Sequence, residues 1–307
     1  MKIIVNGQQA FGKAVLEALI DHGDDVIAVF GPEDRPGGRP DPINEAAAAR
    51  GLPLYQPASF RKHEVAETCR ALAPDLGVMA FVTKIVPAAF LDIPKLGTIQ
   101  YHPSLLPKHR GPSSINWPII QGETRTGLSI FWPDDGLDTG PVLLQKEVEI
   151  GPDDTLGSIY FGKLFPLGVQ AMLEAVDLVK AGTAPRIAQD ESQATYESWC
   201  TRDEVGIDWS RPVREVYNLI RGANPQPGAW TRLSGKTVQI FDSAPGPATT
   251  APPGTVATVD GSGICIAATG GSIIARRLRA GGDKMTGDDF AHAHGVEPGT
   301  QFTVAPR

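Results

Sequence analysis

The sequence predicts an α/β fold: a mostly parallel sheet with helices on its faces, followed by a smaller β-barrel domain. Three observations predict it. Short apolar runs alternate with helical patterns through the first half of the chain. A polar stretch containing proline and glutamine, residues 182–203, then interrupts the pattern. Beyond it, short strand-like runs follow one another closely, with glycine turns between them. The expected division is therefore 1–181 for the α/β domain, 182–203 for a linker and 204–307 for the barrel domain.

The first strand is KIIVNG (2–7), and an amphipathic stretch follows it to about His22. DVIAVFG (25–31) is the second strand, and a loop rich in Pro, Gly and Arg (32–42) leads into NEAAAARG, whose glycine stands where a helix should stop. LPLYQ, a helical run over His63–Leu72, LGVMAF (76–81) and LGTIQY (96–101) continue the alternation. Apolar runs bounded by turn residues and separated by helices imply a parallel sheet. Ligands of such sheets bind beyond the carboxyl ends of the strands, and His102 stands at one of those ends.

TGLSIFW (126–132) and GPVLLQKEVEI (140–150) read as two further strands. From about Thr155 to Lys180, Leu156, Ile159, Tyr160, Leu164, Leu167, Met172 and Val176 recur near a helical period. Pro166 falls inside that helix and should kink or split it. After the linker a helix is expected over 211–221, then strands in AWTRL, KTVQIFDS, GTVATV, GICIAA and SIIARRL. SAPGPATTAPPG (243–254) reads as a flexible loop within that domain.

Composition narrows the function classes. A chain of 307 residues has ample capacity for a buried core, and no apolar run approaches the length of a membrane span. MKIIVNGQQAFG enters a strand pattern at once, without the apolar segment and small-residue cleavage site of a signal peptide. Cys69, Cys200 and Cys265 are far apart and odd in number, which suggests reduced thiols in a cytoplasmic protein. The six histidines lack metal-site spacing, so no metal is expected. Net charge is −7, made up of −8 over residues 1–203 and +1 over 204–307, with no clustered basic platform for nucleic acid.

GQQAFG (7–12) invites a dinucleotide reading but places Gln9 where the fingerprint needs its middle glycine. The second strand also reaches Glu33 only after a Gly-Pro turn, so no NAD(P) is expected on this chain.

Two loops carry chemistry. H-P-S-L-L-P-K-H-R-G (102–111) follows a strand, and D-D-G-L-D-T-G (134–140) joins two others. Taken singly, the first is a surface histidine and the second a solvated acidic turn. Taken together, a carboxylate beside an imidazole orients it, favours its charged form and can order a water through which protons move. Such a pair suits acyl-group transfer, in which a leaving nitrogen gains a proton and a developing oxyanion needs a donor. The chain has no G-x-S-x-G elbow and no candidate nucleophilic cysteine, so a covalent intermediate is not expected.

IQYHPSLLPKHRG followed by IFWPDDGLDTGPVLLQ resembles the folate-dependent formyltransferases, with S-L-L-P-x-x-R-G and G-L-D-T-G in that family's order and spacing. The resemblance covers nearly the whole chain: ATYESWCTRDEVGIDW (194–209), NPQPGAW (224–230) and residues 254–302 are similar to the family's C-terminal part. It implies a Rossmann-like domain followed by an OB-like one, with 10-formyltetrahydrofolate as formyl donor. His102 matches the family's catalytic histidine and Asp138 its catalytic aspartate. Gln100 stands where the family has an asparagine that helps hold the formyl oxygen. Lys84, Ile85 and Val86 of FVTKIVP (81–87) align with a loop whose backbone receives the pterin, and Ser104 and Arg110 are carried over as further substrate contacts.

Y-H-P-S-L-L-P-x-H-R-G, S-I-N-W (114–117) and S-I-F-W-x-D-D-G-L-D-T-G resemble the hydrolase-domain branch, that of 10-formyltetrahydrofolate dehydrogenase. The methionyl-tRNA formyltransferase branch carries a basic insertion where this chain has GPEDRPGGRPDPI (31–43), with two Arg against three acidic residues. The expected reaction is therefore removal of the formyl group to water or to a small-molecule amine, the amine received in a pocket shaped by the 32–42 loop and the second domain. Formylation of a tRNA-borne methionine is the alternative. An OB-like module binding nucleic acid is disfavoured by the few aromatics of the barrel, namely Trp230, Phe241, Phe290 and Phe302.

Overall fold

The computed structural model describes residues 1–303. They form two compact units that interleave along the chain. One comprises Met1–Arg110, Gly127–Val148 and Lys163–Tyr196, and the other Gly111–Thr126, Glu149–Gly162 and the chain from Glu197 onward. Residues 182–196, expected within a linker, belong to the first unit.

In the first unit β1 (Lys2–Gly7), α1 (Gln9–Asp21), β2 (Asp25–Phe30), α2 (Pro42–Ala49), β3 (Leu54–Tyr55), α3 (His63–Leu72), β4 (Leu76–Ala80), α4 (Ala88–Leu91) and β5 (Thr98–His102) follow in order. After α5 (Asn116–Gln121) of the other unit come β6 (Arg125–Phe131) and β7 (Val142–Glu149). The seven strands make one sheet, ordered β3-β2-β1-β4-β5-β6-β7. β1, β2, β3, β4 and β5 pair in parallel, and β6 pairs antiparallel with β5. The sheet is mostly parallel and Rossmann-like, as its alternating pattern predicts.

The register assigns the faces. Asn6, Met79, Gln100 and Phe131 stand opposite one another on neighbouring strands and so share one face. Ile4, Ala28 and Phe30 pack on that face with Val65 and Cys69 of α3 and Phe90 of α4. On the other face Phe11 of α1 lies 4.3 Å from the Tyr101 ring. Phe11, Val15, Leu16 and Leu19 form the buried stripe of α1, and each such side chain contributes about 1.5–3 kcal/mol on full burial.

The GQQAFG stretch has a packing role. A Cβ on Gly7 would lie 2.9 Å from the Ala80 carbonyl oxygen, so the glycine lets α1 start close against the sheet. At the start of α1 the Gln9 N–H donates to the Asp41 carboxylate at 2.7 Å. Asp41 also caps α2 by accepting from the Ile43 N–H at 3.1 Å. Hydrogen bonds from the Asp41 N–H, then the Asn44 and Gln56 amides, hold Asp34 below the usual carboxylate range. The 32–42 loop is thus stitched to α1 and α2 from within its own unit.

The helical pattern beyond β7 runs on without a break but changes its turn just before Pro166. α6 (Leu156–Ile159) runs into a π turn at Tyr160–Leu164 and on into α7 (Phe165–Lys180), so the wider turn falls where the Pro166 ring and its missing N–H disfavour a regular α turn.

The second unit holds α8 (Val213–Gly222) and an antiparallel β domain of two sheets. One contains β8 (Trp230–Leu233), β9 (Lys236–Ile240), β14 (Arg277–Arg279), β15 (Met285–Thr286) and β16 (Phe302–Thr303). The other contains β10 (Ser243–Gly246), β11 (Val256–Asp260), β12 (Gly263–Ala268) and β13 (Gly271–Ala275), and α9 (Gly287–His294) lies between β15 and β16 in sequence. Two expectations change here. The SIIARRL run divides at Arg276 into β13 and β14, which belong to different sheets. The start of the expected flexible loop is β10, paired antiparallel with β13. Pro245 is tolerated because β10 is an edge strand and needs no outward N–H.

Candidate active site

His102 ends β5 and Asp138 lies in the loop between β6 and β7, and the first unit brings them together. His102 Nδ1 is 3.6 Å from Asp138 Oδ2, with the two residues 6% and 8% exposed. His102 Nε2 is 2.8 Å from the carbonyl oxygen of His109. A carbonyl only accepts, so Nε2 carries a proton and donates it. Nδ1, facing the carboxylate, is the ring position left to gain or lose one.

The acidic loop sorts its three carboxylates. Asp134 is spent on the turn itself, accepting from the Gly136 N–H at 3.0 Å and the Thr139 hydroxyl at 2.6 Å. Asp135 is exposed, and Asp138 alone of the three is buried. Its backbone is left-handed, at φ +57°. Gly140 two residues on must be glycine, because a Cβ there would come within 1.8 Å of the Trp132 carbonyl oxygen.

Gln100 is half-buried on the same side of β5 as His102, two residues earlier. The 81–87 loop follows β4, the neighbouring strand. Within it, Lys84 Nζ donates to the Pro57 carbonyl at 2.7 Å and lies 3.5 Å from a Glu33 oxygen. Ile85 is 71% exposed, whereas Val86 packs on the Phe30, Phe60 and Phe90 cluster.

Ser104 and Arg110, expected as substrate contacts, have their side chains buried and bonded within the protein. The Ser104 hydroxyl is fully buried and donates to the Lys108 carbonyl at 2.6 Å, while its own carbonyl accepts from Ser129 Oγ at 2.7 Å. Arg110 is 0% exposed. Its Nε and Nη2 donate to Gln189 Oε1, and Nη1 and Nη2 to the two Glu191 oxygens. Nη1 also donates to the Tyr196 hydroxyl, so all five guanidinium N–H groups are committed inside the protein. Both residues brace the loop that presents His102. The Glu191 bond is the largest cause raising Arg110, and Arg110 in turn holds the Glu191 carboxyl below its ordinary value.

Sequence reasoning missed Ser129, Gln145 and Gln189. Ser129 Oγ accepts from the Leu106 N–H at 3.1 Å and from Gln145 Nε2 at 2.9 Å, tying the S-L-L-P turn to β6 and β7. Gln189 stands in a polar stretch with no local pattern to single it out. Among the described residues, no group of three or more His, Cys, Asp or Glu side chains is placed to hold a metal ion. No helix among them is long and apolar enough to cross a membrane.

Chemically, the site offers a buried imidazole with one nitrogen fixed, a carboxylate beside the other, and an amide on the same strand face. The chain matches the family model described as Formyl transferase over residues 1–176, and that described as Formyl transferase, C-terminal domain, over 200–295. It is 41% identical to the mitochondrial 10-formyltetrahydrofolate dehydrogenase of Mus musculus, over 80% of this chain and 27% of that protein. The chain thus spans little more than a quarter of the length of that dehydrogenase. It is 39% identical to the methionyl-tRNA formyltransferase of Geotalea uraniireducens (strain Rf4), over 98% of this chain and 97% of that protein. HypX from Aquifex aeolicus, solved in complex with tetrahydrofolic acid, is similar in fold with a TM-score of 0.69, at 18% identity over 100% of this chain and 51% of that one. The N-formyltransferase from Helicobacter canadensis is similar in fold with a TM-score of 0.66, at 18% identity over 90% and 98% of the two chains.

Proposed function

Because the chain belongs to the formyl transferase family, we propose that it removes the formyl group from 10-formyltetrahydrofolate and passes it to water or a small-molecule amine. Tetrahydrofolate is the other product. The observation that carries this reading is the buried His102–Asp138 pair, with Nε2 tied to a carbonyl and Nδ1 facing the carboxylate.

In the hydrolytic form a water beside the pair attacks the formyl carbon. His102 Nδ1 takes the proton the water loses, and the Asp138 carboxylate balances the imidazolium. The formyl oxygen becomes an oxyanion, which the Gln100 amide stabilises from its place two residues before His102. The bond from carbon to N10 then breaks, His102 returns its proton to that nitrogen, and formic acid leaves and ionises to formate in solvent. With an amine acceptor the same proton relay acts on the attacking nitrogen, and the product is a formamide. Lys84, Ile85 and Val86 supply backbone for the pterin in this reading. The three buried free thiols are in keeping with a cytoplasmic setting.

A tRNA-borne methionine is the second reading, favoured by similarity to a methionyl-tRNA formyltransferase along nearly the whole of both chains. The net charge of +1 over residues 204–307 weighs against it. One assay tests both: incubate the protein with 10-formyltetrahydrofolate alone, with candidate amines, and with charged initiator tRNA, and follow tetrahydrofolate release. Turnover without an acceptor supports hydrolysis, and turnover only with tRNA replaces it by the second reading. Near wild-type turnover by His102→Ala or Asp138→Asn would sink the proposed chemistry.

A further inference from the structure

The side chain of Gln189 is bonded at both ends. Its Oε1 accepts from Arg110 Nε at 3.1 Å and Nη2 at 2.7 Å. Its Nε2 donates to the carbonyl oxygens of Asp138 at 2.9 Å and Gly140 at 2.7 Å. The amide has only one workable orientation, since a guanidinium has only donors and a carbonyl only accepts. Both acceptor and both donor positions are in use.

Asp138 needs such a hold. A left-handed backbone is disfavoured for a residue with a Cβ and persists where the surroundings over-determine it. The Gln189 amide grips the carbonyls on either side of Thr139 and so holds that conformation from outside the loop. Its other end is anchored on a guanidinium that Glu191 and Tyr196 also grip.

We propose that Gln189 is a positioning residue for the reaction, tying the buried, fully bonded Arg110 guanidinium to the Asp138 backbone and so setting where that carboxylate stands relative to His102. The inference rests on the reading of Asp138 as the catalytic partner of His102. Gln189 touches neither reacting atom, so its loss lowers turnover through Asp138 and leaves binding of the folate donor in place. A misplacement of about an ångström at a reacting pair costs on the order of a hundredfold in rate.

The test compares wild type, Gln189→Glu, Gln189→Ala, Asp138→Asn and the Gln189→Ala/Asp138→Asn double variant, each for deformylation kinetics and melting temperature. Glutamate keeps the volume and both acceptor contacts to Arg110 but has no N–H for the two carbonyls. The expected result is a loss of about tenfold to a hundredfold in kcat for both single Gln189 variants, with KM for 10-formyltetrahydrofolate within about twofold of wild type. The double variant is expected to be no slower than Asp138→Asn alone, because coupled residues do not add. If the two losses multiply in the double variant, or if Gln189→Glu retains wild-type kcat, the positioning role is overturned. Wild-type turnover by Asp138→Asn would instead overturn the reading of the reaction itself. Should Gln189→Ala fail to fold, Gln189→Glu and an added Gln189→Glu/Asp138→Asn double variant, read by the same criteria, decide the matter.

Discussion

His102 and His109 are joined by a hydrogen bond that decides which ring nitrogen of His102 is available. The ring Nε2 lies 2.8 Å from the His109 carbonyl oxygen, and His109 is itself held in left-handed backbone at φ +56°. The neutral ring is therefore expected as the Nε2–H tautomer. Nitrogen-15 NMR of histidine-labelled protein will report it, and a neutral His102 protonated on Nδ1 would contradict the arrangement.

Gln100 shares its strand face with His102 and is flanked in register by Met79 and Phe131. Gln100→Leu keeps the approximate volume and removes the amide. Loss of one oxyanion donor should lower kcat for deformylation on the order of a hundredfold. Steady-state kinetics with 10-formyltetrahydrofolate are the check, and an unchanged kcat would remove Gln100 from the chemistry.

Arg221 of α8 is a structural charge. It is buried, and that burial pushes its guanidinium below the usual value. Nε donates to Asn218 Oδ1 at 2.9 Å, and Nη1 to the carbonyls of Gly151 and Asp154 at 3.2 and 2.9 Å. Arg221→Met leaves those acceptors without their donor and should cost about 2–3 kcal/mol in urea unfolding.

Glu191 predicts a pH dependence. The Arg110 hydrogen bond lowers its carboxyl below the ordinary 4.5. A group with a depressed folded pKa contributes stability that is present above its unfolded value and lost as pH falls through the folded one. Glu191→Gln should therefore be less stable than wild type at neutral pH, with the gap closing below 4.5. Thermal melts across that range test it, and a gap that widens on acidification reverses the sign.

Much of the fold is legible because it is written locally. KIIVNG, DVIAVFG and LGTIQY read as strands from a few residues each, and Pro166 marks where a π turn interrupts the regular helix. His102 and Asp138 stand out because a strand-end histidine and an acidic loop occur together in motifs that resemble a known family. Arg110 was harder to place. A motif arginine reads as a ligand contact, while the partners its side chain bonds lie 79 to 86 residues further along the chain. The strand at Ser243–Gly246 was hidden for a similar reason, since its proline and glycine read as loop and only the edge position beside β13 admits them.

By itself, the sequence determined the alternation of elements, the mostly parallel sheet and the two loops that hold the histidine and the aspartate. These follow from periodicity and turn chemistry, which depend on neighbours a few residues away. Only the tertiary structure decided that Asp138 is the buried one of the three carboxylates, that His102 Nε2 donates a hydrogen bond to the His109 carbonyl, and that Arg110 is bonded to Gln189. They depend on which groups folding buries together, and for Arg110 on partners that lie beyond α7 in the chain. Once buried, a donor without an acceptor is costly, so the partners must be found wherever in the sequence they lie.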